Sequence, residues 1–211
     1  CVLHGMQGTP YIFQGEELGM TNVRFQDISH YRDIETLHLY EERLEAGYDK
    51  DDVMASIYAK SRDNARTPMQ WDDSRCAGFT AGEPWIEVNP NYREINAAAQ
   101  LADPDSVFRF YQRLVALRKE YPVFVDGRFE LLFPEDEQIF AYTRTSGDTR
   151  LLVLANFSGE DAVCDLPKEW AEGQVLIHSC AGEDKEAGGR SGWKQGRLQP
   201  YEALMVLSGK G

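Results

Sequence analysis

Gly8-Thr9-Pro10-Tyr11-Ile12-Phe13-Gln14-Gly15 is the stretch on which the architecture turns. Tyr11, Ile12 and Phe13 are strand formers in a short apolar run, residues 9–13, and Gly8 and Gly15 punctuate it on either side. That composition predicts one buried β-strand. A lone strand has no ladder to satisfy its amides, and the next strand-like segments begin more than 100 residues downstream. The partners of this strand are therefore expected outside the given sequence. The opening residues point the same way: Cys1 leads straight into an apolar, turn-rich stretch with no initiator Met, which reads as a cut end.

Outward from that strand, Leu37, Tyr40 and Leu44 fall at helical spacing within residues 29–58. Gly47 then breaks the pattern, and Asp51 opens a second helix through Met54 and Ile57. Residues 61–100 lose periodicity and fill with Arg, Asp, Asn, Pro, Gly and Trp. A loop of that length inside a compact domain is expected to be functional or packed on a neighbour. Asp103-Pro104-Asp105-Ser106 reads as a helix start, with Asp103 as N-cap and Pro104 at the first helical position. Val107, Phe110, Tyr111, Leu114 and Leu117 give that helix one apolar face, and Tyr121-Pro122 stops it. After Val125 the texture changes to short alternating runs at residues 128–133, 138–143, 151–156, 174–178 and 203–207, separated by turns such as Ser146-Gly147-Asp148. That pattern predicts a small antiparallel β-sandwich over residues 125–211, after a first part over residues 1–124.

The chain of 211 residues is 42% hydrophobic, enough to bury a core. Its formal charge of −13 is spread along the sequence, which argues against nucleic acid and against anionic membranes as partners. No apolar run approaches the roughly 20 residues that span a bilayer. Cys1, Cys76, Cys164 and Cys180 show neither CxxC spacing nor grouping with histidine, so neither a metal site nor a disulfide framework is expected, and no cofactor is implied. Reduced thiols predict a cytoplasmic protein.

Residues 8–20, Gly8-Thr9-Pro10-Tyr11-Ile12-Phe13-Gln14-Gly15-Glu16-Glu17-Leu18-Gly19-Met20, resemble the last barrel strand of the α-amylase superfamily, G-x-P-x-x-x-x-G-x-E. The stretch Ser61-Arg62-Asp63-Asn64-Ala65-Arg66-Thr67-Pro68-Met69-Gln70-Trp71 is more specific. It is similar to the loop of oligo-1,6-glucosidases, dextran glucosidases, trehalose-6-phosphate hydrolases and sucrose isomerases. Pro84-Trp85-Ile86, Val88-Asn89-Pro90-Asn91-Tyr92 and Ile95-Asn96 continue the same text in order. The resemblance implies an α/β plus all-β chain. Residues 9–13 would be the eighth strand of a (β/α)8 barrel, residues 29–100 an excursion over its mouth, residues 103–120 its last helix, and the β-sandwich would follow. It also implies about 300–350 residues upstream, on which this chain would pack.

Retaining α-glucosidases need a carboxylate nucleophile and a carboxylic acid about 5 Å apart. In the family these come, with a third carboxylate, from strands four, five and seven, all upstream of Cys1. No acid here matches their motifs, so no catalytic residue is assigned to this chain. What the resemblance implies instead is sugar positioning. Arginine offers a fixed fork of donors that can bridge a hydroxyl and a carboxylate. Arg62, or else Arg66 four residues on, would close the subsite for the non-reducing glucose, and Glu35 would face the leaving sugar. Each has a plainer reading, the arginines as pins of the loop through Asp63 or another acid and Glu35 as a solvated helix acid. Gln14, Glu16 and Glu17 are read as partners of loop backbone, and Trp71, Phe79 and Trp85 as packing anchors before sugar platforms. Asn156-Phe157-Ser158 matches a glycosylation acceptor but falls in a predicted strand, and is read as accidental.

The expected function is thus that of a C-terminal piece of an α-glucosidase acting on small α-gluco-oligosaccharides, inactive alone. A piece of a trehalose-6-phosphate hydrolase or sucrose isomerase fits the same residues. A stand-alone glucan-binding module is the alternative of another class.

Overall fold

The computed structural model describes residues 1–180 and 196–209. Residues 181–195 and 210–211 of the expected C-terminal domain lie outside the described residues. The helices are α1 (Val2–Gly5), α2 (Ile34–Glu45), α3 (Lys50–Lys60), α4 (Ala97–Ala102), α5 (Val107–Glu120) and α6 (Val123–Asp126). The strands are β1 (Arg128–Leu132), β2 (Ile139–Ser146), β3 (Thr149–Asn156), β4 (Ala162–Val163), β5 (Gln174–His178), β6 (Arg197–Leu198) and β7 (Ala203–Ser208). They gather into two compact units, one of Cys1–Tyr11 with Phe110–Gly211 and one of Ile12–Arg109.

The first unit is built on an antiparallel five-stranded sheet in the order β1-β2-β3-β7-β5. Its central strand β3 reads Leu151-Leu152-Val153-Leu154-Ala155 without polar alternation, because both of its faces are covered. Leu151 and Val153 join Tyr142, Met205 and Leu207 against Leu114 and Leu117 of α5 and Val123 and Phe124 of α6. Leu152 and Leu154, with Ala141, Leu204 and Val206, meet Trp170 and the small β4-β6 sheet through Ala162, Cys164 and Leu198. The expected sandwich is therefore a large sheet with helices on one face and a two-stranded sheet on the other.

Arginines tie the chain start into this unit. Arg118 Nη1 donates to the carbonyls of His4 at 2.8 Å and Met6 at 3.0 Å. Arg144 is wholly buried and donates to the carbonyls of Gly5 at 2.8 Å, Phe124 at 2.9 Å and Gly127 at 2.7 Å. Tyr142 Oη donates to the carbonyl of Val2 at 2.6 Å. Gly5 is required by closeness: a Cβ there would lie 2.4 Å from Tyr142 Oη.

In the second unit α2 and α3 form a hairpin. Gly47 occupies the turn at φ 83°, and Asp49 Oδ1 accepts from the Asp51 and Asp52 N–H groups to start α3. Val53, Met54 and Ile57 of α3 bury against Val23, Phe25, Tyr31 and Ile86, with Leu37 and Tyr40 of α2 partly buried beside them. The long aperiodic segment is ordered mainly by side-chain amides. Asn64 accepts from the Val23 N–H at 3.1 Å and donates to the Tyr58 carbonyl at 3.1 Å. Gln70 donates to Asn91 Oδ1 at 3.1 Å, Asn89 donates to the Thr21 carbonyl at 3.0 Å, and Asn96 caps α4 through the Ala99 N–H at 2.8 Å. Each amide replaces backbone pairing that irregular chain cannot make for itself.

Two expectations are corrected. Residues 9–13 form no strand, and Tyr11 is 89% exposed, because a strand needs neighbours and none pairs with it among the described residues. Helix α5 begins at Val107 rather than around Asp103. Asp103 Oδ1 is used by the Asp105 N–H at 2.8 Å, and it is Ser106 Oγ that accepts from the Arg109 N–H at 3.2 Å.

Candidate functional site

The residues singled out from the sequence meet at the start of α2 and the 3-10 turn Arg62–Ala65. Ser61 links this turn to α3, ending α3 and accepting from the Asp63 N–H at 3.2 Å. Asp63 is fully buried, and its Oδ2 accepts from the Arg32 N–H at 2.6 Å and the Asp33 N–H at 2.9 Å. One buried carboxylate thus holds the signature turn against the entry to α2.

Asp33 occupies the centre. Its side chain is 3% exposed, and its Oδ1 accepts from Arg62 Nε at 3.0 Å and Nη2 at 2.7 Å. Its Oδ2 accepts from Thr36 Oγ1 at 2.8 Å, and Thr36 also lies 2.9 Å from Ser61 Oγ. Arg66 Nη1 lies 3.5 Å from Asp33 Oδ1 and 3.6 Å from Asp63 Oδ1. Glu35, in the first turn of α2, reaches Arg62 Nη2 at 3.3 Å. The hydrogen bond from Arg62 outweighs burial and holds the Asp33 carboxyl down at about 2, while the same bond raises Arg62 above the ordinary arginine value.

Glu35, Arg62 and Arg66 are therefore brought together, and the acid that joins them was not among the residues picked from the sequence. Asp33 precedes α2 with Thr36 three residues on, a pattern that reads as an ordinary helix cap. Here it caps nothing with its side chain, because both oxygens are taken by Thr36 and the arginines. The half-exposed side chain of Arg62 commits Nε and Nη2 to Asp33 and Glu35, and among the described residues Nη1 has no hydrogen-bond partner.

The remaining readings separate cleanly. Glu17 Oε2 accepts from the Gly15 N–H at 2.8 Å, a backbone role. Trp71, Phe79 and Trp85 are not packing anchors within this unit, since each is exposed, Trp85 by 66%. Trp71 and Phe79 flank residues Cys76 and Ala77, whose φ values of 54° and 55° are left-handed, with Ala77 buried and its carbonyl accepting from the Trp71 N–H at 2.9 Å. Asn156 is buried and donates its amide to the carbonyls of Glu160 at 2.7 Å and Gln199 at 2.9 Å, so the sequon asparagine is a structural residue of the sheet unit. Among the described residues no group of three or more His, Cys, Asp or Glu is arranged to hold a metal, and no helix is long and apolar enough to cross a membrane.

The chain is similar to known proteins along nearly its whole length. The chain is 52% identical over 207 residues to the oligo-1,6-glucosidase of Bacillus cereus, covering 97% of this chain and 36% of the relative. Its fold is similar to the crystal structure of Bacillus licheniformis trehalose-6-phosphate hydrolase, with a TM-score of 0.88, 42% identity, and 99% of this chain and 37% of that one covered. The trehalulose synthase MutB from Pseudomonas mesoacidophila MX-45 is also similar, with a TM-score of 0.82, 38% identity, and coverage of 98% and 36%. The chain spans about a third of the length of the curated relatives it matches. Residues 129–204 match the maltogenic amylase C-terminal domain. Residues 1–127 match the alpha amylase catalytic domain, and the chain belongs to that family.

Proposed function

We propose that this chain is the C-terminal third of a retaining α-glucosidase that removes terminal α-linked glucose from short oligosaccharides, and that it shapes the substrate pocket without supplying the acids that break the bond. The observation that carries this reading is the convergence of Arg62 and Arg66, both from the signature loop of an α-amylase-family chain, on the buried carboxylate of Asp33, with Glu35 paired to Arg62. Arg62 presents Nη1 to a hydroxyl of the non-reducing glucose, Arg66 supports it, and Glu35 faces the sugar that leaves. Residues 1–124 are the end of the catalytic barrel and residues 125–211 the domain that follows it. The exposure of Tyr11 and Phe13 supports packing on an upstream barrel, since residues of this type are ordinarily covered. Four free cysteines support a cytoplasmic setting.

The test is Arg62→Ala in the full-length enzyme. A guanidinium bonded to a sugar hydroxyl is worth about 1.5–3 kcal/mol, so kcat/KM for isomaltose is expected to fall at least about tenfold. An unchanged kcat/KM removes Arg62 from the pocket. A trehalose-6-phosphate hydrolase or a sucrose-isomerising enzyme is the second reading, supported by the likeness to proteins of those names. Product analysis with isomaltose, trehalose 6-phosphate and sucrose separates the three.

A further inference from the structure

We propose that Asp33 is the positioning residue of this site, fixing both arginines before substrate arrives. The inference rests on the reading that Arg62 meets sugar, and it assigns to Asp33 the geometry with which Arg62 does so.

Every polar group of Asp33 other than its carbonyl is committed. Its N–H is held by Asp63 at 2.9 Å, its Oδ2 by Thr36 at 2.8 Å, and its Oδ1 by Arg62 at 2.7 and 3.0 Å. The carboxylate can neither rotate nor leave without breaking bonds inside a buried site. Arg62, by contrast, is 50% exposed on its side chain and by itself would sample many rotamers. Two donors on one fixed oxygen define the plane of its guanidinium and the direction of the edge left over. Arg66 Nη1 approaches the same oxygen at 3.5 Å, so the acid also sits where it offsets the repulsion between two guanidiniums. Glu35, 76% exposed, lies against the outer side of Arg62 and cannot substitute as an anchor, because its own rotamer is free to move. Pre-organisation of this kind removes ordering cost from the binding step.

The experiment is a double-mutant cycle in the full-length enzyme with isomaltose as substrate. Asp33→Asn keeps the shape and removes the charge; it is expected to lower kcat/KM by about ten- to a hundredfold. Thr36→Val withdraws support from Oδ2 and is expected to cost several-fold. Against an Arg62→Ala background neither change is expected to cost more than about twofold, since the residue through which they act is gone. Retention of native circular dichroism qualifies each variant, and if Asp33→Asn does not fold, the Thr36→Val cycle carries the test. Unchanged kcat/KM in the folded single variants, or full additivity with Arg62→Ala, overturns the positioning role while leaving the Arg62 reading intact. An Arg62→Ala enzyme with normal kcat/KM overturns both.

Discussion

At the scale of single residues the molecule spends its buried charges on holding backbone and other charges in place. Arg144 makes the point most strongly. A guanidinium with no exposure is costly unless its donors are used, and these are used on the carbonyls of Gly5, Phe124, Val125 and Gly127. Burial still pulls its pKa below the ordinary arginine value. Arg144→Met is expected to destabilise the fold by about 3 kcal/mol or more in urea unfolding, since four carbonyls lose a donor at once and, among the described residues, only that of Phe124 keeps a second, from Arg118 at 3.4 Å. Arg144→Lys is expected to recover little of this, because an ammonium cannot span the same carbonyls. Asp33 gives a pH signature. Its folded carboxyl is held at about 2 against an ordinary 3.8, so its stabilising contribution is full above about pH 4 and lost as the pH falls toward 2. The stability lost in Asp33→Asn is therefore expected to be largest near neutral pH and to shrink through that window, measured by urea unfolding at pH 6, 4 and 2.5. A penalty independent of pH would contradict the pairing. The sequence shows Asp33, Asp63 and Arg144 as ordinary polar residues; only tertiary burial reveals them, and no local pattern encodes it.

At the scale of elements, sequence pattern is a reliable guide where the element meets its partners within the chain. Strands β2, β3 and β7 carry long apolar runs and pair along most of their length, and all three are found near where composition puts them. The two-residue strands β4 and β6 leave too short a trace for any periodicity, yet they help close the second face of the sheet beside Trp170. Trp170 is 1% exposed, with Arg150 stacked 5.0 Å from its ring centre. Trp170→Ala is expected to cost about 3–5 kcal/mol, read from the midpoint of urea unfolding. A loss under about 1 kcal/mol would mean that the small sheet does not seal the core. The segment 9–13 shows the converse case. Its strand composition is legible, but a strand is a property of a ladder, and among the described residues this one has none. The aperiodic segment 61–100 was legible only as family text, because its order comes from individual Asn and Gln side chains.

At the scale of the whole molecule, the proposed α-glucosidase function needs paired carboxylates, whereas what the second unit of this chain presents is Arg62 held by Asp33 beside Arg66 and Glu35. Asp33 has both carboxylate oxygens in hydrogen bonds to Arg62 and Thr36, and buried Asp63 holds the Arg32 and Asp33 N–H groups through Oδ2 with Arg66 3.6 Å from Oδ1, so both acids serve to hold the loop and its arginines. A general acid needs a raised pKa, whereas that of Asp33 is lowered. The division of labour this implies is tested by turnover of 4-nitrophenyl α-glucoside by the chain alone and by the same chain fused behind the upstream barrel of a homologous α-glucosidase. No release of nitrophenol above background is expected from the chain alone, and release is expected from the fusion. Hydrolysis by the isolated chain would contradict the account, because it would place the bond-breaking acids among residues assigned here to positioning.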